Sequence, residues 1–503
     1  MSRGVSGVGL RLREALAAWR TSESGAAAVL FAFALVPLMI AAGVVIDGGS
    51  AYLVRDRLAK SLDAAGLAAA RVSLSDRAAS DARRFFDVNF RDGYMGAEVT
   101  DFTVSFSEDR ELLTVSAEAT MPTSLMRIAG FRDVTVRRST VVQRLTRGLE
   151  VALVMDNTGS MRGGDMIGQM KAAATELVNI LYAEEDALPD LWISLIPYTS
   201  MVNIGAARVD WLRTDDPLGG APSPYVGSSW KGCVLARPGG EDETDTPPDA
   251  FSDAGRFQRF LYPSAVDNWW LSEADPTQTF IREGAANNEA HQNDATGPNL
   301  GCGPAITPLT NQRKTVLSAI DEMLPWHRGG TTSNLGMVWG WRTISPEWRG
   351  LWGDPTPAHM PLDYDEPLMD KAVVLLTDGD NQFYRWPQRW TSMGGSRKSA
   401  SSTVGGSDAT AYGRLHDLLP GGTLAQGQTL LDVRLARMCE ALKERGVFIY
   451  TIVFGTIPGA ATHQLYRDCA STPSDYFPAP DGDTLRDAFR NIGQRLSDLR
   501  VVR

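Results

Sequence analysis

The pattern of apolar and polar positions divides the chain into three parts. Residues 25–46 form one uninterrupted apolar run without a charged side chain. Between about residues 85 and 143, apolar and polar residues alternate, which predicts strands that are buried on one face only. From residue 149 onward, short continuous apolar runs alternate with helical patterns, which predicts a mostly parallel sheet between helices.

The apolar run predicts a transmembrane helix over residues 25–46. With a rise of ~1.5 Å per residue, a helix of this length crosses a hydrocarbon core of about 30 Å. Pro37 would break a soluble helix but is tolerated in membrane spans. A cleaved signal peptide is the alternative, although its apolar core normally has only about 7–15 residues. No clear small-residue cleavage site precedes a polar mature start here.

The charges that flank the run favour one orientation. Basic side chains before the run slightly outnumber those just after it: Arg3, Arg11, Arg13 and Arg20 precede it, and Arg55, Arg57 and Lys60 follow. Because basic flanks tend to stay in the cytoplasm, we predict a cytoplasmic tail over residues 1–24, a single span, and the rest of the chain outside.

Beyond the span, the helical pattern continues into an Ala-rich stretch of high helix propensity. The run GAAAVLFAFALVPLMIAAGVVID, followed by LVRDRLAKSLDAAGLAAA, resembles the amino-terminal segment of the TadE/TadG-like Flp (tight-adherence) pilus-assembly proteins. The resemblance implies a single-pass protein of the bacterial inner membrane whose carboxyl-terminal domain lies in the periplasm and which contacts other pilus-assembly components. An ordinary signal anchor with a helical stalk is the alternative.

Residues 47–147 are predicted to combine this helix with a small β-rich module. The alternating stretches VTDFTVSFS and ELLTVSAEATM are separated by SEDR, which indicates a β-hairpin, and VTVRRSTVVQRL adds a third strand. No catalytic cluster is visible in this part. It is interpreted as a spacer or a packing module.

Residues 148–503 carry the candidate chemistry. Asp156 and Asp378 each follow an apolar strand, and the carboxyl ends of parallel strands share one edge of a sheet, where ligands bind. Thr158 and Ser160 follow Asp156 at alternate positions, and Thr331 follows a Gly-Gly pair at a predicted helix start. Carboxylates and hydroxyls are the hard oxygen ligands that Mg²⁺ prefers.

Together these residues resemble a von Willebrand factor A domain, which is a Rossmann-like α/β fold, and its metal-ion-dependent adhesion site. The resemblance implies that Asp156, Thr158, Ser160, Thr331 and Asp378 hold Mg²⁺, with Mn²⁺ or Ca²⁺ as alternatives. It also implies a protein partner that presents Asp or Glu to the metal. Thr158 stands where the motif usually has serine, and Thr332 is an alternative to Thr331. A degenerate site, or a metal that only pins the loops together, is the competing interpretation.

Two long insertions are expected in this domain, at about residues 203–308 and 381–428. The first contains several tryptophans: Trp211, Trp230, Trp269 and Trp270. The second begins with NQFYRWPQRW, which would lie beside the metal edge and offer a partner-binding or sugar-stacking surface. The Gly/Ser-rich GGSRKSASSTVGGS that follows is typical of a flexible linker.

The four cysteines lie in the second half of the chain, at Cys233, Cys302, Cys439 and Cys469. None forms a CxxC pair and the chain has only 5 histidines, which argues against a zinc site. An even number outside the cytosol favours two disulfides, Cys233 with Cys302 and Cys439 with Cys469. Four buried free thiols, or other pairings, are the alternatives.

Charge and missing motifs exclude other classes of function. The net charge of −11 argues against a nucleic-acid binder. No G-x-S-x-G, Walker A or HExxH motif is present, so an enzyme is not expected. We therefore expect a component of Flp pilus assembly or surface attachment that binds a protein through the Mg²⁺ site. The alternatives are a structural envelope or pilus-base anchor with an incidental metal and a surface carbohydrate-binding module.

Overall fold

A computed structural model of the chain describes residues 24–70, 75–107, 112–143, 147–183, 185–215, 230–249, 255–262, 299–326, 328–384, 406–456 and 458–499. The chain divides into two compact units, Met1–Arg144 and Leu145–Arg503. The predicted cytoplasmic tail lies outside the described residues except for Ser24.

The first unit is built on one long helix, α1 (Ser24–Ala69), which continues through Pro37. Of the described helices, the segment Ala28–Ala69 is the one long and apolar enough to cross a membrane. By length and composition it fits a membrane anchor or a signal peptide. The apolar side chains of its first half are exposed, whereas Val54, Leu58 and Leu62 in its second half are buried. The helix therefore changes from apolar on all sides to amphipathic after the predicted span.

A second helix and a three-stranded antiparallel sheet complete this unit. These elements are α2 (Ser75–Asn89), β1 (Glu98–Phe106), β2 (Leu112–Pro122) and β3 (Asp133–Gln143), with the strand order β1-β2-β3. The hairpin and the third strand are as predicted. Helix α2 was not predicted, and it contains the first residues of the stretch interpreted as alternating. Ala78, Ala82 and Phe86 recur every four residues and are buried, which is the helical spacing.

A six-stranded sheet forms the centre of the second unit. Its strands are β4 (Gly148–Asp156), β5 (Leu191–Tyr198), β6 (Thr307–Thr310), β8 (Met369–Thr377), β10 (Phe448–Phe454) and β11 (Tyr476–Ala479). The order is β11-β10-β8-β4-β5-β6. Neighbouring strands are parallel except for β5 and β6. A separate pair, β7 (Gly330–Thr331) and β9 (Gln382–Phe383), is antiparallel.

Helices cover both faces of this sheet. They are α3 (Met166–Tyr182), α4 (Arg313–Asp321), α5 (Ser333–Ile344), α6 (Leu415–Leu418), α7 (Leu424–Glu444), α8 (Ala460–Cys469) and α9 (Gly482–Leu499). One core lies between the sheet and α5, α7 and α8, and the other between the sheet and α3, α4 and α9. The α/β class and the mostly parallel sheet flanked by helices are confirmed.

Close packing and local capping explain two details of these helices. A Cβ atom on Gly340 would lie 2.5 Å from Val154, so glycine lets α5 approach β4 closely. Helix α7 begins at Leu424. Its first turn is fixed by a capping box in which Thr423 and Gln426 exchange hydrogen bonds.

The described parts of residues 203–308 extend the hydrophobic core. Trp211 and Trp230 are only 3% and 5% exposed, which leaves neither indole face available for stacking on a sugar. Trp269, Trp270, the linker GGSRKSASSTVGGS and most of NQFYRWPQRW lie outside the described residues. Disulfides join Cys233 to Cys302 and Cys439 to Cys469, as the sequence favoured.

Candidate metal centre

Asp156 lies at the carboxyl end of the central strand β4 and is fully buried. Its Oδ1 accepts a hydrogen bond of 2.8 Å from the backbone N–H of Thr158. Its Oδ2 accepts hydrogen bonds from the hydroxyls of Thr377, at 2.9 Å, and Tyr198, at 3.2 Å. Burial, and then the charge of Asp156, raise the pKa of Tyr198, so its hydroxyl remains a donor. These contacts fix the Asp156 carboxylate in one orientation.

Hydroxyl groups connect the β4 loop to the end of strand β8. The Oγ atoms of Thr158 and Ser160 are 2.9 Å apart, and Ser160 Oγ donates to Oδ1 of Asp378 at 2.8 Å. The backbone N–H of Asp378 lies 3.4 Å from Oδ2 of Asp156. The structure therefore brings four of the predicted site residues together, although residues 156–160 and 378 are far apart in sequence.

One oxygen of this group has no protein partner. Among the described residues, no hydrogen-bond donor reaches Oδ2 of Asp378, although this atom is buried. Burial, and then the neighbouring Asp156 carboxylate, raise the pKa of Asp378 to about 8, and burial raises the pKa of Asp156 as well. No Lys or Arg in the described part of the chain pairs with either acid. Two buried carboxylates and an unsatisfied oxygen are the arrangement that a divalent cation would stabilise.

Thr331 and Thr332 are placed differently. Thr331 lines a cavity of about 560 Å³ together with Thr158 and Ser160. The hydroxyl of Thr332 instead donates to the backbone carbonyl of Thr199 at 3.0 Å, in the interior. The geometry thus favours Thr331 over Thr332 as a fifth oxygen ligand.

The loop that carries Thr331 is held by a buried ion pair. Arg328 donates from Nε and Nη2 to the two oxygens of Asp408, at 2.6 and 2.9 Å. The same carboxylate accepts from the backbone N–H of Gly329 at 2.9 Å. Gly329 and Gly330 have φ values of 82° and 124°, which favour glycine. Sequence reasoning missed Arg328 and Asp408, because only the folded chain brings them together.

The cavity above the acids has a basic and polar rim. Besides the hydroxyl residues, its lining includes Arg162, Arg328, Gln382 and Tyr384. Arg162 is exposed to solvent and Arg328 is buried against Asp408. A ligand that enters this cavity therefore meets the exposed guanidinium group of Arg162, which favours an anionic group, whereas the charge of Arg328 is compensated by Asp408.

The donor set also indicates what kind of metal would fit. Among the described residues, no group of three or more His, Cys, Asp or Glu side chains lies close enough to hold a metal ion. Two carboxylates with hydroxyls are a hard-oxygen set, which suits Mg²⁺, Mn²⁺ or Ca²⁺ better than a thiolate-preferring ion.

Comparison with known proteins adds a family assignment for part of the chain. Residues 25–72 match the family model described as "Putative Flp pilus-assembly TadE/G-like". The chain carries a TadE/G-like segment. Residues 25–69 of this segment lie in helix α1, and the match confirms the resemblance identified from the sequence. No curated protein matches the chain significantly.

Several solved structures have a similar arrangement at low sequence identity. The von Willebrand factor domain of the type V pilus tip protein Mfa5 from Porphyromonas gingivalis is 12% identical, with a TM-score of 0.36, covering 71% of this chain and 98% of that one. The pilus adhesin SpaC from Lactobacillus rhamnosus GG is 10% identical, with a TM-score of 0.33, covering 80% and 34%. Proximal thread matrix protein 1 from mussel byssus, with a zinc-occupied MIDAS motif, is 12% identical, with a TM-score of 0.29, covering 70% and 46%.

Proposed function

We propose that this chain is a membrane-anchored component of Flp (tight-adherence) pilus assembly or surface attachment. In this proposal its second unit captures a protein partner through a Mg²⁺-dependent adhesion site. The TadE/G-like segment supports the pilus context. The observation that carries the proposed chemistry is the buried Oδ2 of Asp378, which lies beside Asp156 and has no hydrogen-bond partner among the described residues.

The proposed ligands are Asp156, Thr158, Ser160, Thr331 and Asp378. Their oxygens fit Mg²⁺, with Mn²⁺ or Ca²⁺ as alternatives. When bound, the ion would supply positive charge and an open coordination position to an incoming carboxylate. The protein buries the two acids and orients Asp156 through hydrogen bonds from Thr377 and Tyr198. The hydroxyl residues Thr158 and Ser160 line the cavity.

The proposed partner is a protein that presents Asp or Glu. The exposed guanidinium group of Arg162 lines the same cavity and favours an anionic side chain. We propose binding rather than catalysis, because the sequence contains no G-x-S-x-G, Walker A or HExxH motif. Nucleic acid is not a proposed partner, given the net charge of −11.

The proposed location is the bacterial inner membrane, with one span and the carboxyl-terminal domain in the periplasm. Helix α1 supports the span by length and composition. The two disulfides support an oxidising compartment for the second unit.

Pull-down from solubilised membranes, with and without EDTA, tests the proposed capture. Partner recovery by the native chain should require Mg²⁺, and recovery by the Asp378→Ala and Asp156→Ala variants should be low in both conditions. The matched control is Asp483→Ala, because the Asp483 side chain is 93% exposed and lies on helix α9. Equal recovery by native and Asp378→Ala chains, with or without EDTA, would rule out the metal-dependent mechanism.

A further inference from the structure

The loop between strands β2 and β3 is tied to helix α1 where the apolar run ends. Asp47, the first charged residue after the run, is only 3% exposed. Its carboxylate accepts three backbone N–H bonds from the loop: Ser124 at 2.9 Å, Leu125 at 2.9 Å and Met126 at 2.7 Å. Three such bonds to one ionised group fix the loop firmly to this turn of the helix.

A second contact lies one turn earlier, inside the apolar run itself. A Cβ atom on Gly43 would lie 3.0 Å from Cβ of Leu125 and 3.1 Å from the backbone N of Met126. The loop backbone therefore packs directly on the helix at Gly43. Four residues of helix rise span about 6 Å. The contacts at Gly43 and Asp47 thus place the loop alongside the last turn of the predicted span.

The outer surface of this loop is apolar with basic flanks. Ile128 is 49% exposed and Phe131 is 58% exposed. Arg127 and Arg132, next to them in the chain, are also exposed. Exposed aliphatic and aromatic side chains beside arginines are typical of segments that lie in the interfacial region of a bilayer. Tyr52, on the next part of α1, is 66% exposed. Tyrosine is enriched at the membrane–water interface, where we place this loop.

We propose that residues 124–132 form a second membrane contact. Ile128 and Phe131 enter the interfacial region of the bilayer beside helix α1, and Arg127 and Arg132 contact the phosphate groups of anionic lipids. The occupant of this surface is the bilayer because the loop is continuous with the helix that the proposed function places in the membrane. This inference rests on that membrane anchoring.

The second membrane contact would restrict rotation of the first unit about the axis of helix α1. A single span leaves rotation about the helix axis and tilt to be set by its neighbours and its interfacial anchors. A loop bound to the helix on one side and to lipid on the other removes the rotational freedom. The three-stranded sheet then has one preferred orientation relative to the membrane surface.

Site-directed fluorescence on the full-length chain in vesicles tests the proposal. Single cysteines replace Ile128 or Phe131 and are labelled with an NBD maleimide, and the four native cysteines are protected because both pairs are disulfide-bonded. The vesicles contain phosphatidylcholine and phosphatidylglycerol, with and without lipids that carry a nitroxide high on the acyl chain, to reach the loop, or deep on the chain, to reach Val36. We expect the emission at both positions to shift to shorter wavelength and to be quenched by the nitroxide.

Two controls separate this inference from the anchoring on which it rests. Val36→Cys lies within the apolar run and should be strongly quenched. Leu67→Cys is 59% exposed on the same helix, about 30 Å beyond Asp47 at ~1.5 Å per residue, and should not be quenched. Quenching at Val36 without quenching at Ile128 and Phe131 would overturn the loop contact and leave the anchor intact. No quenching at Val36 would overturn both.

A separate comparison tests whether Arg127 and Arg132 contact anionic lipids. Replacing phosphatidylglycerol by phosphatidylcholine, or changing Arg127→Gln and Arg132→Gln together, should weaken the quenching at Phe131 and leave that at Val36 unchanged. Unchanged quenching at Phe131 after both changes would overturn the proposed contact between these arginines and anionic lipid.

Discussion

Ser160 Oγ donates a hydrogen bond of 2.8 Å to Oδ1 of Asp378, and this bond joins the loop after strand β4 to the end of strand β8. The other oxygen of Asp378 is buried without a donor among the described residues. Asp378 is thus held by one oxygen and left unsatisfied at the other.

Asp378→Asn should remove the stabilisation by Mg²⁺. For the native chain, Mg²⁺ at about 100 times its Kd should raise the free energy of unfolding by about 2.7 kcal/mol. The variant keeps the shape of the side chain but loses the charge, so we expect little or no such gain. Thermal melting with Mg²⁺ and with EDTA measures the difference. Asp483→Asn should behave like the native chain, and a full Mg²⁺ gain in Asp378→Asn would contradict the ligand assignment.

Without metal, stability should fall as the pH rises from about 4 toward 8. The pKa of Asp378 is raised from 3.8 to about 8 in the folded chain, so between these values the folded state binds more protons than the unfolded state. The free energy of unfolding must therefore decrease with pH in this window. Urea unfolding in EDTA at pH 5 and pH 8 measures the slope. The slope should be smaller in Asp378→Asn, and an unchanged slope would assign the effect to other groups.

Gly330→Ala should displace the Thr331 loop. At φ 124° a Cβ atom would lie 2.1 Å from the backbone O of Gln382, so the two strands of the β7–β9 pair must separate. We expect a loss of about 1–3 kcal/mol in the free energy of unfolding and weaker Mg²⁺ binding by calorimetry. Gly379→Ala is the control, because no atom lies within 4 Å of its added Cβ. Equal effects at the two glycines would show that the loop geometry is not the cause.

Asp408→Asn should destabilise the second unit strongly. It leaves Arg328 buried without its charged partner, which typically costs about 3–5 kcal/mol. Chemical denaturation measures this loss. Asp363→Asn breaks the exposed pair with Arg349 and should change stability by less than about 1 kcal/mol. A small effect at Asp408 would mean that the Thr331 loop is held by its glycine geometry alone.

Asp47→Ala should release the loop between β2 and β3 from helix α1. Three backbone N–H groups, of Ser124, Leu125 and Met126, lose their acceptor. Hydrogen exchange by mass spectrometry on the full-length chain in vesicles should show faster exchange in this loop. Exchange in strand β2 should change little, because its ladder bonds to β1 and β3 remain. Unchanged exchange at residues 124–126 would contradict the role of Asp47.

The sequence was sufficient to predict that Asp156 and Asp378 meet. Both follow continuous apolar runs, and parallel strands bring such ends to one edge of a sheet. It was not sufficient for helix α2, whose polar residues mask the four-residue spacing of Ala78, Ala82 and Phe86. The capping box of helix α7 has a sequence signature, because Thr423 is followed three residues later by Gln426.

Local sequence patterns do not predict the contacts that hold the site residues in place. Asp408 accepts from Arg328 across 80 residues of sequence, and Tyr198 reaches Asp156 from a neighbouring strand. No periodicity or motif marks either contact, because each depends on how distant segments pack in the finished fold. Sequence alone also left Thr332 as an alternative to Thr331. In the structure Thr331 lines the cavity, whereas the Thr332 hydroxyl donates to the Thr199 carbonyl.

The oxygens of the candidate centre arrive from three separate stretches, at residues 156–160, 331 and 378. None of these stretches holds more than part of the set, so an incompletely folded chain has no functioning site to offer. Under the proposed function, only a folded copy of the second unit could bind a partner.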